Sequence, residues 1–215
     1  MQRRTFWQGS AAAGIGLLTG VSAPAQAQQT ATAWVEGKHY QRLQTPVATG
    51  GQGPEVLEFF WYGCPFCYQF DPTLSTWEAH KPAHVAFRRI PTIIHGASRE
   101  HQKLFFALEL MGMEHAVHAQ VFTIVQSEPE GLNDLPAMQA LVRKLGGDAD
   151  KFAAMYKSFG MQARCQGATA LFGAAGLTSV PSLLINGRYV TSPSMAGGAD
   201  QAIRVIDVLL SRGAA

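Results

Sequence analysis

Hydrophobic and polar residues follow two kinds of pattern along the chain, one typical of buried strands and one of amphipathic helices. The run PEVLEFF at 54–60 has the β-branched and aromatic density of a buried strand, and the breaker-rich TGGQG precedes it. After this run, apolar side chains recur at three- and four-residue spacing, at Cys67, Phe70, Leu74 and Trp77. The pattern therefore predicts a buried strand followed directly by a helix.

The middle of the chain shows helical spacing throughout. Four apolar stripes each predict the inner face of a helix, and we interpret their residues as part of the hydrophobic core. The stripes are Leu104, Leu108 and Met111; Val117, Val121 and Ile124; Met138, Leu141 and Leu145; and Phe152, Met155 and Phe159.

The last part of the chain returns to strands. The segment GLTSVPSLLINGRYVTSP predicts an apolar strand, a type I′ turn at Asn186 and Gly187, and a return strand. Pro181 stands at the head of the first of these strands, where proline is tolerated. Helical spacing then follows through Ile203, Ile206 and Leu210, so we expect an α/β sheet with a helical lid and a closing helix.

The N-terminal segment predicts an export signal that is cleaved after Ala27. A basic start at Arg3 and Arg4 precedes an Ala/Gly/Leu middle and small residues suited to a signal peptidase. Without the two arginines, the 17 Lys and Arg residues become 15 against 15 Asp and Glu. A chain with no basic field is not expected to bind nucleic acid.

Three cysteines set the candidate chemistry. Cys64 and Cys67 are too close for their disulfide to be an effective staple, and no second pair completes a zinc site. His115 and His118 have a spacing that is common by chance, and we interpret them as two solvated histidines. Redox chemistry of the pair remains the leading interpretation, with Cys165 left over.

The position of the pair explains how it would react. Cys64 lies at the junction of strand and helix, and Pro65 suits the first helical position. Free N–H groups and the helix dipole would stabilise the Cys64 thiolate, while Cys67 would lie shielded on the inner face. We expect Cys64 to form the mixed disulfide with a substrate and Cys67 to resolve it.

Three segments carry a resemblance to a known family. EGKHYQRLQTPV, VLEFFWYGCPFCYQFDP and SVPSLLINGRYV resemble the periplasmic thiol:disulfide oxidases of the DsbA family, in matching order and spacing. The resemblance implies a thioredoxin fold interrupted by a helical domain, with Cys64 and Cys67 as the redox pair and Pro181 as a cis-proline facing them. It also implies that Val180 offers backbone groups to an extended substrate peptide.

The resemblance and the patterns together predict the domain organisation. The predicted parts are a signal peptide at 1–27, a first thioredoxin-like part at 28–97, a helical domain at 98–172 and a second thioredoxin-like part at 173–215.

Two further residues, Glu58 and Cys165, each have alternative interpretations. Glu58, in an otherwise apolar strand, is costly to bury without a partner. It could relay protons to Cys67, as the resemblance implies, or form a structural ion pair with Arg89, or do both. Cys165 shares a helical face with apolar residues, which favours a buried, inert thiol over a second redox partner.

Phe66 is a departure from the family. Strong oxidants of the family commonly carry histidine between the cysteines, and phenylalanine cannot supply its positive charge. We expect a less stabilised Cys64 thiolate and a less oxidising disulfide than in histidine-bearing relatives. Phe66, Trp61 and Tyr62 could also extend an apolar surface for unfolded substrates.

The function expected from these features is transfer of the Cys64–Cys67 disulfide to newly exported proteins in the periplasm. We expect a monomer without cofactor or metal. The resemblance implies re-oxidation by a membrane partner of the DsbB type. A reductase or isomerase using the same pair, and a non-catalytic peptide-binding chaperone, are the alternatives.

Overall fold

The computed structural model describes residues 33–129 and 131–212, so the predicted signal peptide lies outside the described residues. Within them the chain forms one mixed sheet with helices on both of its faces. The strands are β1 (Gln41–Arg42), β2 (Glu55–Phe60), β3 (Ala86–Pro91), β4 (Ser182–Ile185) and β5 (Tyr189–Thr191).

Eight helices accompany these strands in the described part of the chain. They are α1 (Pro65–His80), α2 (Ser98–Leu110), α3 (Glu114–Ser127), α4 (Leu135–Lys144), α5 (Ala149–Tyr156), α6 (Phe159–Ala174), α7 (Pro193–Ala196) and α8 (Ala199–Arg212). None of the described helices is long and apolar enough to cross a membrane. Helices α2 to α6 lie between β3 and β4, where the sequence predicts the inserted domain; the bounds of that domain stay a prediction.

Strand β2 occupies an inner position in the sheet, whose order is β1-β5-β4-β2-β3. It runs parallel to β3, with α1 as the crossover, and antiparallel to β4. The β4–β5 hairpin turns at Asn186 and Gly187, whose φ angles of 52° and 62° fit the predicted type I′ turn. The predicted α/β architecture of thioredoxin type is confirmed.

Two apolar cores lie on opposite faces of the sheet, because successive side chains of a strand point to opposite sides. Leu57 and Phe59 of β2 pack into the core that α2 to α6 cover. Val56 packs into the other core, against α1 and α8. Glu58 follows the alternation of Val56 and therefore lies on the α1 face.

The predicted stripe of Phe152, Met155 and Phe159 is wrong at its last member. Helix α5 ends at Tyr156, and Ser158 begins a new helix by accepting a hydrogen bond from the Met161 N–H at 3.3 Å. Phe159 is the first residue of α6 and is 89% exposed, whereas Phe152 is fully buried. A serine that caps a helix interrupts the apolar period at this point.

Candidate redox active site

Cys64 lies at the N-terminal end of α1, as predicted. It occupies the N-cap position with an extended backbone, and Pro65 takes the first helical position. A tight turn leads into it, because the Cys64 N–H donates to the Trp61 carbonyl oxygen at 2.9 Å. The free N–H groups of the first turn of α1 therefore converge near the Cys64 thiol.

The two cysteines, both free thiols here, differ sharply in environment. Hydrogen bonding from the Cys67 thiol, with backbone N–H groups of Cys67 and Phe66, lowers the pKa of Cys64 from 9.0 to about 6 against the effect of burial. Cys67 is fully buried, and burial raises its pKa far above the ordinary value. Cys64 thus carries the thiolate, and Cys67 stays a thiol.

The loop before β4 contacts the first cysteine of the candidate pair. The Val180–Pro181 peptide bond is cis, and the Cys64 Sγ lies 3.6 Å from the Val180 carbonyl oxygen, to which Cys64 donates only in its protonated form. Val180, one of the two loop residues that the sequence singled out, therefore contacts Cys64, and Pro181 follows it through the cis bond.

Glu58 is completely buried behind the pair, opposite Arg89 on the neighbouring strand. Its Oε2 lies 3.4 Å from the Arg89 Nε, but neither carboxylate oxygen has the alignment of a hydrogen bond. Burial raises the pKa of Glu58 from 4.5 to about 8, although Arg89 opposes this shift. The predicted pair is present, and it leaves Glu58 able to hold a proton near neutral pH.

Arg89 also contacts two further carboxylates, both on α1. Its Nη1 donates to Glu78 Oε2 at 2.7 Å, and its Nη2 donates to Ser75 Oγ at 2.9 Å and to Asp71 Oδ1 at 3.4 Å. One guanidinium therefore faces three carboxylates, and the shortest of these contacts goes to Glu78, the most exposed of the three. This sharing leaves Glu58 the least well satisfied of them.

His118 is a residue that sequence reasoning missed. The interpretation of two solvated histidines holds for His115, which is exposed, but is wrong for His118, which is 4% exposed. His118 shares a helical face with Phe122 and Val125, both buried. That spacing of four and seven residues is the signal that could have identified it.

The aromatic residues around the site divide into exposed and buried members. Phe66 is 68% exposed beside Cys64, and Tyr68 is also exposed, so both contribute apolar surface as expected of Phe66. Trp61 is half-buried, whereas Tyr62 is 1% exposed. The expectation that Tyr62 extends the apolar surface is therefore wrong, because its ring packs among Phe60 and Phe122.

Cys165 lies on α6, away from the two other cysteines. It is half-buried, not buried as expected, and lines a surface groove with Arg99 and Lys103. Burial raises its pKa above the ordinary value, which keeps it protonated and unreactive at neutral pH.

A comparison with protein families now bears on this geometry. Residues 55–205, which include both cysteines and the cis-proline, match the DSBA-like thioredoxin domain. The chain belongs to the DSBA-like thioredoxin family.

Characterised members of the family are similar over most of their length. The chain is 36% identical to the thiol:disulfide interchange protein DsbA of Pseudomonas aeruginosa over 180 residues, covering 83% of this chain and 85% of that protein. It is 32% identical to the protein of the same name from Bordetella pertussis over 212 residues, 98% of each. The crystal structure of Pseudomonas aeruginosa DsbA superposes with a TM-score of 0.80 at 35% identity, covering 84% of this chain and 94% of that one. The prediction of a DsbA-like thiol:disulfide oxidoreductase is confirmed.

Proposed function

We propose that this protein donates the Cys64–Cys67 disulfide to reduced proteins after their export. The observation that carries the proposal is the asymmetry of the pair. Cys64, with its pKa lowered to about 6, is a good leaving group, whereas burial raises the pKa of Cys67. A stable Cys64 thiolate favours the reduced form of the pair, which makes the disulfide a ready electron acceptor.

The transfer proceeds in two exchanges. A substrate thiolate attacks the Cys64 sulfur, the Cys64–Cys67 bond breaks, and Cys67 leaves with the electron pair and takes up a proton. A second substrate thiolate then attacks the substrate sulfur of the mixed disulfide, and Cys64 leaves as thiolate. Two electrons pass from the substrate to the pair, and the substrate gains one disulfide.

Glu58 is proposed as the proton donor for Cys67. Cys67 must take a proton as it leaves, and its burial excludes bulk water. The raised pKa of Glu58, about 8, lets this buried carboxyl carry a proton at neutral pH, and the nearby Arg89 stabilises it once the proton has gone. The ion pair and the proton transfer are thus compatible roles of one residue.

Substrate binding is proposed at the loop before β4. The Val180 carbonyl oxygen lies 3.6 Å from the reacting Cys64 sulfur, so an extended peptide paired with this backbone places its cysteine at the disulfide. The exposed Phe66 ring provides an apolar contact for unfolded chains.

The location and partners of the protein follow from the same proposal. The predicted export signal supports a periplasmic location, where a membrane protein of the DsbB type would re-oxidise it. We expect it to act as a monomer, without cofactor or metal.

The decisive test mixes oxidised protein with an equimolar reduced, unfolded client and counts client thiols over time by alkylation. The wild-type protein should oxidise one client dithiol per molecule, and Cys64→Ser should abolish the transfer. Cys165→Ser is the matched control and should transfer at the wild-type rate. A Cys64→Ser protein that still protects clients from aggregation at full strength, beside a wild type that transfers nothing, would indicate the chaperone alternative.

The direction of the reaction has its own measurement. Equilibration of the pair with glutathione should give a potential nearer to about −120 mV than to about −270 mV. A value near about −270 mV would make the protein a reductant and overturn the proposed direction.

A further inference from the structure

The turn that leads into Cys64 is held from outside the thioredoxin-like part of the chain. Trp61 donates its Nε1–H to His101 Nδ1 on α2 at 3.0 Å. The Tyr62 hydroxyl lies 2.9 Å from His118 Nδ1 on α3, and Gln126 on α3 donates to the Tyr62 carbonyl oxygen at 2.7 Å. Three side chains of the inserted helices thus bind the two residues before Gly63 and Cys64.

His118 also contacts the active-site helix itself. Its Nε2 lies 3.4 Å from Asp71 Oδ1, in the second turn of α1, and its Nδ1 lies 3.2 Å from Glu114 Oε1 on its own helix. The rings of Phe60, Phe105 and Phe122 enclose the imidazole edge-on. A histidine packed in this way has little freedom to reorient, so its two nitrogens hold fixed directions.

The protonation states of the neighbours define the donors. Burial raises the pKa of Tyr62 well above its usual value, so the phenol keeps its hydrogen. Burial lowers the pKa of His118 although Asp71 opposes this, which favours a neutral imidazole. Tyr62 then donates to Nδ1, and Nε2 carries the hydrogen 3.4 Å from Asp71 Oδ1, a close polar contact without the alignment of a hydrogen bond. The Tyr62 contact has one donor and one acceptor, whereas Glu114 Oε1, 3.2 Å from the same Nδ1, has no hydrogen-bond partner among the described residues.

We propose that His118 is a positioning residue for the redox pair, fixing Tyr62 before Cys64 through Nδ1 and Asp71 after Cys67 through Nε2. The proposal rests on the proposed function and deepens it. Cys64 lies between the two anchored residues, and its thiolate depends on the N–H groups of Phe66 and Cys67 staying directed at its sulfur. A residue that holds both sides of this turn therefore tunes the thiolate without touching it.

Asparagine and glutamine can separate the two contacts of His118. An asparagine amide lies where Nδ1 lies, so His118→Asn can still accept from Tyr62 but loses Asp71. A glutamine amide reaches the position of Nε2, so His118→Gln keeps an N–H group beside Asp71 but loses Tyr62. His118→Leu removes both contacts. Tyr62→Phe removes only the contact between residue 62 and Nδ1, by deleting the single hydroxyl oxygen of Tyr62.

Two measurements report the effect: titration of the Cys64 thiolate by its ultraviolet absorbance, and the equilibrium of the pair with glutathione. For His118→Leu we expect the pKa of Cys64 to rise by about one unit, which makes the disulfide about fivefold less oxidising at pH 7. His118→Asn and His118→Gln should each restore part of this loss. Tyr62→Phe should add nothing to His118→Gln, because both remove the same hydrogen bond.

The controls separate positioning from stability. His115→Asn, at an exposed site on the same helix, should leave both readouts unchanged. Thermal unfolding should accompany every titration. All variants at positions 118 and 62 could be less stable and still have the wild-type pKa of Cys64 and the wild-type glutathione equilibrium. In that case His118 has only a structural role, and the proposal is overturned. If His118→Leu does not fold, the same comparison is made with Tyr62→Phe alone. A wild type that donates no disulfide to the client would instead overturn the proposed function, since the Cys64 titration does not depend on transfer.

Discussion

The Cys64 sulfur lies 3.6 Å from the carbonyl oxygen of Val180, although 116 residues separate them along the chain. The contact joins the N-terminal end of α1 to the loop before β4. This loop lies beside α1 because β4 pairs with β2, the strand that precedes α1. The Cys64 sulfur and the backbone that is proposed to bind the substrate thus lie side by side on one surface.

Phe66→His should make the protein a stronger oxidant. Residue 66 is exposed beside a thiolate that receives hydrogen bonds but no positive charge from its nearest neighbours, and an imidazolium there adds one. We expect the pKa of Cys64 to fall below about 6 and the glutathione equilibrium to shift severalfold toward the reduced pair. Phe66→Leu, which keeps an apolar side chain, is the control. Equal pKa values of Cys64 in the histidine and leucine variants would contradict the expectation.

Glu58→Gln should flatten the pH dependence of stability in the oxidised protein. Folding raises the pKa of Glu58 from 4.5 to about 8, so its contribution to stability is complete below pH 4.5 and is lost as the pH rises through about 8. The wild-type free energy of unfolding should therefore fall relative to that of the variant by about 3 to 4 kcal/mol between pH 5 and pH 8. Denaturant unfolding across this range checks it. Parallel curves for the two proteins would show that Glu58 does not titrate there.

Arg89→Met should destabilise the protein at neutral pH. The substitution removes the guanidinium that Glu58, Asp71 and Glu78 share. The buried carboxylates then lack a positively charged partner. Breaking a buried pair from one side costs about 3 to 5 kcal/mol, which denaturant unfolding measures directly. The double variant with Glu58→Gln should recover part of this loss. If the loss of unfolding free energy in the double variant equals the sum of the losses in the two single variants, the two residues do not interact.

Phe152 and Phe159 should respond very differently to truncation, although one helical stripe would contain both. Phe152→Ala empties a fully buried site and should cost about 3 to 5 kcal/mol of unfolding free energy. Phe159→Ala alters an exposed side chain at the start of α6 and should change stability by less than about 0.5 kcal/mol. Equal losses would mean that Phe159 is packed in solution.

Local features of the chain were predictable because short-range chemistry determines them. The strand before Cys64, the proline at the first position of α1 and the turn at Asn186 each depend on a few consecutive residues. The pairing of Glu58 with Arg89 was also predictable, since a buried carboxylate needs a cation and two neighbouring strands offered one.

Other features depended on which helices pack together. Periodicity shows that a helix has an apolar face, but it does not tell which polar residue at the edge of that face is enclosed by another element. His118 became buried because α3 packs against α1, and Tyr62 became buried because that same helix covers the turn before Cys64. The sequence by itself determined the candidate redox pair, the order of the elements and the family to which the chain belongs. Only the tertiary structure decided what surrounds the pair, because contacts between residues distant in the chain form when whole elements pack.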